Sequence, residues 1–225
     1  MLEVGCGDGL IINKVTAPDT MAVDISVEGL KTVNGPSLQC SVTELLFGDG
    51  RYELVIASEL LEHLPDEEYR QALSEIARVA RRFILVTVPN KENLTVNLTR
   101  CPSCGKQYHR AWHIRSFRPE DMERLFEGFA VVECKAIGPV EQTRTRLEAW
   151  LRRTLDWGPP PPWPTTCPYC GTAQAKPGDQ ADRTDVGVGG ISDSRPARSA
   201  MRYFRGRKRP WLAGLFKKKS SRGGE

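Results

Sequence analysis

No stretch of this 225-residue chain reaches 18 consecutive apolar residues, which removes the ordinary signature of a membrane-spanning helix. The first residues, MLEVGCGDG, lack the basic-then-apolar layout of an export signal, so the expected compartment is the cytoplasm. Histidine is scarce: His63, His109 and His113 are the only three, which narrows the candidates for a neutral-pH base. The glycine-rich turn Gly5-Cys6-Gly7-Asp8-Gly9 lacks the last glycine of the dinucleotide fingerprint, because Leu10 stands there, and this argues against a pyrophosphate cofactor. An NPPY-type segment, used on exocyclic base nitrogens, is also missing after the fourth strand.

Hydrophobic residues make up 40% of the chain, enough for the core of one principal domain. Short apolar runs alternate with amphipathic stretches from Met1 to about Ile137, the βαβα pattern of a parallel sheet covered by helices on both faces. The predicted fold class is therefore α/β and Rossmann-like. Strands are predicted at 2–4, 21–24, 37–40, 52–57, 83–88 and 130–136, and helices at 10–15, 66–81 and 119–129. The expected organisation is a domain over 1–137 with an insertion at about 98–115, a helical arm over 138–172, and a disordered tail over 173–225. Within the arm, 141–155 can form a basic amphipathic helix, and Gly158-Pro-Pro-Pro-Pro-Trp-Pro is a stiff connector.

Three closely spaced glycines directly after a first strand let the backbone turn sharply and a ligand lie against it. Asp24 ends the second strand, 19 residues after Gly5, where an acid can accept both hydroxyls of a ribose. A cofactor with adenosine but no phosphate suits that pair. On EVGCGDG, AVDIS and YELVIASELLEHLPDEE, the region 1–137 resembles the class I S-adenosylmethionine-dependent methyltransferases of small molecules. The resemblance implies that Glu3, Gly5, Gly7 and Gly9 line the methionine end, Asp24 the ribose, and Ser41 and Val42 the adenine. Ser41 stands where the family usually has an acid. The family's helix and cover before the first strand have no counterpart here, so either an unusually open cofactor site or a misassigned start is expected.

Methyl transfer from a sulfonium is an in-line displacement, in which a protein chiefly positions the nucleophile and, for hydroxyls, removes a proton. Ser58-Glu59-Leu60-Leu61-Glu62-His63 follows the fourth strand, at the edge of the sheet that faces the ligand crevice. His63 is a candidate for the base or an acceptor contact, and Glu59 for a cofactor-side role. His113 is the second catalytic candidate; its His-Ile-Arg-Ser-Phe segment resembles one recurring in zinc-bearing methyltransferases. For both histidines the plainer reading is local capping or packing.

The seven cysteines are not scattered as disulfide partners would be. Four form Cys101-Pro-Ser-Cys104-Gly and Cys167-Pro-Tyr-Cys170-Gly, two zinc knuckles that together offer a closed four-thiolate site. A closed site is structural. A rival local set is Cys101, Cys104, His109 and His113, which leaves Cys167 and Cys170 without a purpose.

Charge is segregated. Residues 195–225 hold eleven Lys or Arg against Glu225, so the preceding 194 residues carry a net charge of −6 within a total of +4. Because Trp211, Leu212, Leu215 and Phe216 lie among these cations, the tail is expected to meet an anionic membrane surface, with nucleic acid as the competing partner and a plain solvated tail as the bland alternative. The expected function is methyl transfer to oxygen or nitrogen of a small or glycan-like acceptor, including a lipid-linked one at the inner membrane face. The alternatives are an RNA methyltransferase and a non-catalytic, zinc-bearing methyltransferase-like binding protein.

Overall fold

A computed structural model describes residues 1–142, 165–174 and 207–220. The predicted 141–155 helix and Pro-rich connector, and the 175–206 part of the predicted disordered tail, lie outside them, apart from Glu141 and Gln142. The described strands are β1 (Leu2–Val4), β2 (Met21–Asp24), β3 (Ser37–Gln39), β4 (Tyr52–Ser58), β5 (Ala80–Pro89), β6 (Leu98–Arg100), β7 (Gln107–His109), β8 (Phe129–Ile137), β9 (Glu141–Gln142), β10 (Thr165–Thr166), β11 (Ala173–Gln174), β12 (Arg207–Lys208) and β13 (Trp211–Lys218). The helices are α1 (Val27–Leu30), α2 (Asp66–Val79) and α3 (Pro119–Met122).

The chain divides into two compact units. The first comprises 1–92, 114–139 and 209–225 and contains a seven-stranded sheet in the order β3-β2-β1-β4-β5-β13-β8. β3, β2, β1, β4 and β5 run parallel, while β13 is antiparallel to both its neighbours. This is the Rossmann-like, mostly parallel sheet the sequence predicts. Leu2, Glu3 and Val4, and Val55, Ile56 and Ala57, are buried without a break, as central strands covered on both faces require.

α2 forms where acidic Asp66, Glu67 and Glu68 occupy the first turn and Arg78 the last, both favourable to the helix dipole. It buries Ala72, Ile76 and Val79. Arg78 also fixes the 45–49 loop, donating to the carbonyls of Leu45 (2.9 Å) and Phe47 (2.7 Å). α2 stops at Val79, two residues before its predicted end, because Ala80 turns to extended backbone and opens β5. The predicted helix at 10–15 is a single 3-10 turn over Ile12–Lys14, and that at 119–129 is helical only over α3.

The main correction concerns the C-terminus. Residues 211–218, predicted to lie in a disordered basic tail, form β13 and sit between β5 and β8 as an interior strand of the sheet. Leu212 and Phe216 are each 1% exposed, and the Phe216 ring meets Phe126 edge-on at 5.0 Å. Of the apolar residues assigned to a membrane-facing patch, Leu212 and Phe216 therefore belong to the core, and Trp211 and Leu215 are half-buried. Their burial outweighs the charge of the flanking lysines.

The second unit comprises 93–113 and 140–208, so the inserted segment begins and ends a few residues away from the expected 98–115. Its described parts are three two-stranded ladders, β6-β7, β10-β11 and β12-β9.

Candidate active site and cysteine cluster

The turn after β1 is built as its glycines require. Gly5, Gly7 and Gly9 all have positive φ (65°, 54° and 79°), a region that side chains disfavour. A Cβ on Gly5 would lie 2.8 Å from a Leu60 methyl, whereas one on Gly7 would meet nothing within 4 Å. The loop is thus packed from below at Gly5 and open at Gly7.

Asp24 binds this loop to β2. Its Oδ2 accepts the Gly7 N–H at 2.7 Å and its Oδ1 the Ser26 N–H at 2.8 Å. Each oxygen retains a lone pair, so the carboxylate can hold the loop and still accept a hydroxyl. Glu3, in the middle of β1, is 2% exposed, and its Oε2 meets no hydrogen-bond donor among the described residues. Burial pushes its carboxyl up to about 7 against a hydrogen bond from the Ile12 backbone. Cys6 is pushed up to about 12 by burial and by the neighbouring Asp24 and Glu3 carboxylates, so it stays a thiol.

Val42 is 9% exposed and Ser41 half-buried. The Ser41 hydroxyl contacts Thr43 Oγ1 at 2.7 Å and accepts the Thr43 N–H at 3.2 Å, an ST-turn that shapes the loop after β3. Ser41 therefore serves its own turn.

At the C-terminal end of β4, Glu59 has a left-handed φ of 50°. Its Oε2 accepts the Trp211 indole N–H at 2.6 Å and its Oε1 the Thr87 hydroxyl at 3.1 Å. These contacts tie Glu59, expected on the cofactor side, into the rim of the sheet through a partner 152 residues away. His63 is half-buried in a 3-10 turn, Leu61–His63, that continues from this rim. Arg115, not singled out from the sequence, donates to the Leu64 carbonyl (2.5 Å) and to Asp66 (3.0 Å) and lies 3.8 Å from the Tyr69 ring centroid. Its planar, always-charged fork in the His-Ile-Arg-Ser-Phe segment is the signal that could have found it.

In the second unit the two knuckles are copies of each other. Gly105 N–H donates to Cys101 O and Gly171 N–H to Cys167 O, both at 2.9 Å, with φ of 70° and 71° at the two glycines. Cys101 and Cys167 are buried, Cys104 and Cys170 exposed. Cys101 Sγ lies 3.5 Å from Cys170 Sγ and Cys104 Sγ 3.7 Å from Cys167 Sγ, and all four sulfurs lie within 4.8 Å of one another. A tetrahedral zinc with Zn–S bonds of about 2.3 Å has sulfur–sulfur edges of about 3.8 Å, so the cluster has the right size for one. Hydrogen bonds from the Thr172 hydroxyl and backbone hold Cys170 down at about 6, within reach of the thiolate form.

His109 and His113 stack with ring centroids 5.0 Å apart, and His109 Nδ1 accepts the His113 N–H at 3.1 Å. That nitrogen is occupied by a local bond, and the cluster that forms holds four cysteines instead of the rival set. His113 is half-buried in this unit.

Residues 2–83 match a sequence family described as methyltransferase domain. No curated protein matches the chain. Among solved structures, a SAM-dependent methyltransferase from Archaeoglobus fulgidus aligns over 96% of this chain and 85% of its own at 17% identity, with a TM-score of 0.52. One from Methanosarcina mazei covers 96% and 91% at 12% identity (TM-score 0.53), and one from Mesorhizobium loti 96% and 89% at 11% (TM-score 0.50). At these identities the structures establish the fold. The family match runs from β1 into the first residues of β5.

Proposed function

We propose that the chain binds S-adenosylmethionine along the C-terminal ends of β1 and β2 and transfers its methyl group to an oxygen or nitrogen of a small or glycan-like acceptor. The observation that carries this reading is the Gly7–Asp24 pair, a backbone turn open to a ligand and stapled to an acid that keeps free lone pairs. The buried, unmatched Glu3 oxygen is a second feature that suits a cationic partner. The cofactor supplies an electrophilic methyl on a sulfonium. Gly5, Gly7 and Gly9 allow close approach, Asp24 accepts ribose hydroxyls, and Val42 gives the adenine an apolar wall beside Ser41. At the β4 rim His63 takes the acceptor's proton, and His113 is the second candidate for that role. Positioning carries most of the rate in such a displacement.

Cys101, Cys104, Cys167 and Cys170 are proposed to hold one structural zinc. With all four positions filled by thiolates, it would scaffold the second unit and leave no site for substrate. No helix among the described residues is long and apolar enough to cross a membrane. A peripheral location on an anionic membrane, reached through the basic residues of 195–225, is kept as a proposal on charge alone, since Leu212 and Phe216 are buried.

The test is methyl transfer from tritiated S-adenosylmethionine to separated small-molecule, lipid-linked glycan and RNA fractions. Label in the first two is expected. Label confined to RNA would favour the RNA-methylating alternative, in which the second unit, free of Asp and Glu over 93–113, grips the nucleic acid. Cofactor binding without transfer to any fraction would favour the non-catalytic alternative.

A further inference from the structure

We propose that Trp211 is a positioning residue for the cofactor loop, acting through Glu59 and Leu60, so that the C-terminal strand is part of the ligand-binding rim. The inference rests on the methyltransferase reading for its ligand but on geometry alone for the linkage.

Trp211 opens β13, and its indole N–H donates to Glu59 Oε2 at 2.6 Å. The other carboxylate oxygen accepts the Thr87 hydroxyl, and the Glu59 N–H donates to the Thr87 carbonyl at 3.0 Å. Ser58 Oγ and Thr87 Oγ1 are 2.6 Å apart. Together these contacts hold Glu59 in a left-handed conformation that a side chain ordinarily avoids, and this turn aims the next residue. That residue is Leu60, whose methyls lie 2.8 and 3.0 Å from where a Cβ of Gly5 would be. Leu60 is therefore the floor on which the glycine loop rests.

The seat of Trp211 is equally defined. Asn90 donates its backbone N–H to Pro210 O at 2.7 Å and its side-chain amide to Arg209 O at 2.9 Å. Gly138, with φ of 93°, makes room for the ring: a Cβ there would fall 2.7 Å from the indole Cε3. A charge-assisted hydrogen bond thus joins β13, the last strand in chain order, directly to the turn that supports the first loop.

The full chain labelled with nitrogen-15 tests this by amide spectra and by S-adenosylhomocysteine calorimetry, with Trp211→Phe and Glu59→Gln. The Trp211 indole resonance should move in Glu59→Gln, and the Gly5 and Leu60 amides should move in both variants. Each variant should weaken S-adenosylhomocysteine binding by about three- to tenfold, part of what a hydrogen bond to a charged group contributes. The double variant should lose no more than either single one, since both break the same link. A Trp211 that only packs would lower the melting temperature and leave the Gly5 amide and the affinity unchanged, which overturns the proposal. If the unmodified chain takes no S-adenosylhomocysteine, the methyltransferase reading fails, and the Gly5 amide still decides the linkage. Should Trp211→Phe not fold, the near-isosteric Glu59→Gln carries the same measurements.

Discussion

Phe216→Ala removes the largest fully buried side chain of the first unit, and it lies in a segment whose composition reads as a solvated tail. Phe216 is 1% exposed, its ring meets Phe126 at 5.0 Å and 83°, and it pairs with Ile84 on one side and Val131 on the other. Truncating a buried Phe costs about 3–5 kcal/mol through lost transfer energy and the cavity left behind. The edge-to-face contact accounts for about 0.5–1.5 kcal/mol beyond area burial. Against a typical domain stability of about 5–15 kcal/mol, the variant should lose roughly a fifth or more of its folding free energy. Urea unfolding followed by far-UV circular dichroism reads this as a lower midpoint at unchanged slope. Lys217→Ala, one residue along and exposed, is the control and should stay within about 0.5 kcal/mol. A Phe216→Ala loss below about 1 kcal/mol would mean that β13 is not part of the folded core.

Three further outcomes are expected. Glu3 has a folded-state value near 7 against 4.5 unfolded, so the protein's stability should fall as pH rises from about 4.5 through 7, by roughly 3 kcal/mol at most. Glu3→Gln should flatten that slope in urea titrations at pH 5 and 8; equal slopes would show that Glu3 is not buried as described. Elemental analysis should find one zinc per chain, lost together with thermal stability in Cys167→Ser/Cys170→Ser, whereas retention of zinc would return the rival set with His109 and His113 to consideration. Association with anionic vesicles should weaken as salt rises, because exposed charges are screened over about 8 Å at physiological ionic strength, and salt-independent association would refute an electrostatic contact.

β1, β2 and β4 were legible because each is a short, mostly apolar run next to punctuation: Gly5, Asp24 and Gly50 end or precede strands where the periodicity changes. The glycine loop was legible for the same local reason, and all three of its glycines have positive φ. β13 was not, because its inward positions, Leu212, Gly214 and Phe216, include a glycine, and arginines and lysines crowd both ends. Charge counting then outweighed a period-two signal only three positions long. The partners that make it an interior strand, β5 and β8, lie far back in the chain, and no local rule records such pairing. The Glu59–Trp211 contact was hidden likewise: a left-handed glutamate and an indole 152 residues away leave no trace in the residues around it. The knuckles were legible as a pair because two thiols two residues apart with a following glycine specify their own turn, which recurs here atom for atom at the Cys101 and Cys167 carbonyls.

The most direct test of the central claim is calorimetric titration of the full chain and of Asp24→Asn with S-adenosylhomocysteine. The Asp24 carboxylate accepts the Gly7 and Ser26 N–H groups and is the proposed ribose acceptor, so Asp24→Asn should weaken binding by about 1–3 kcal/mol, roughly five- to 150-fold. A saturable one-to-one isotherm that loses affinity by this amount is the predicted result. Absence of binding in the unmodified chain, or NADH binding in its place, would contradict the account.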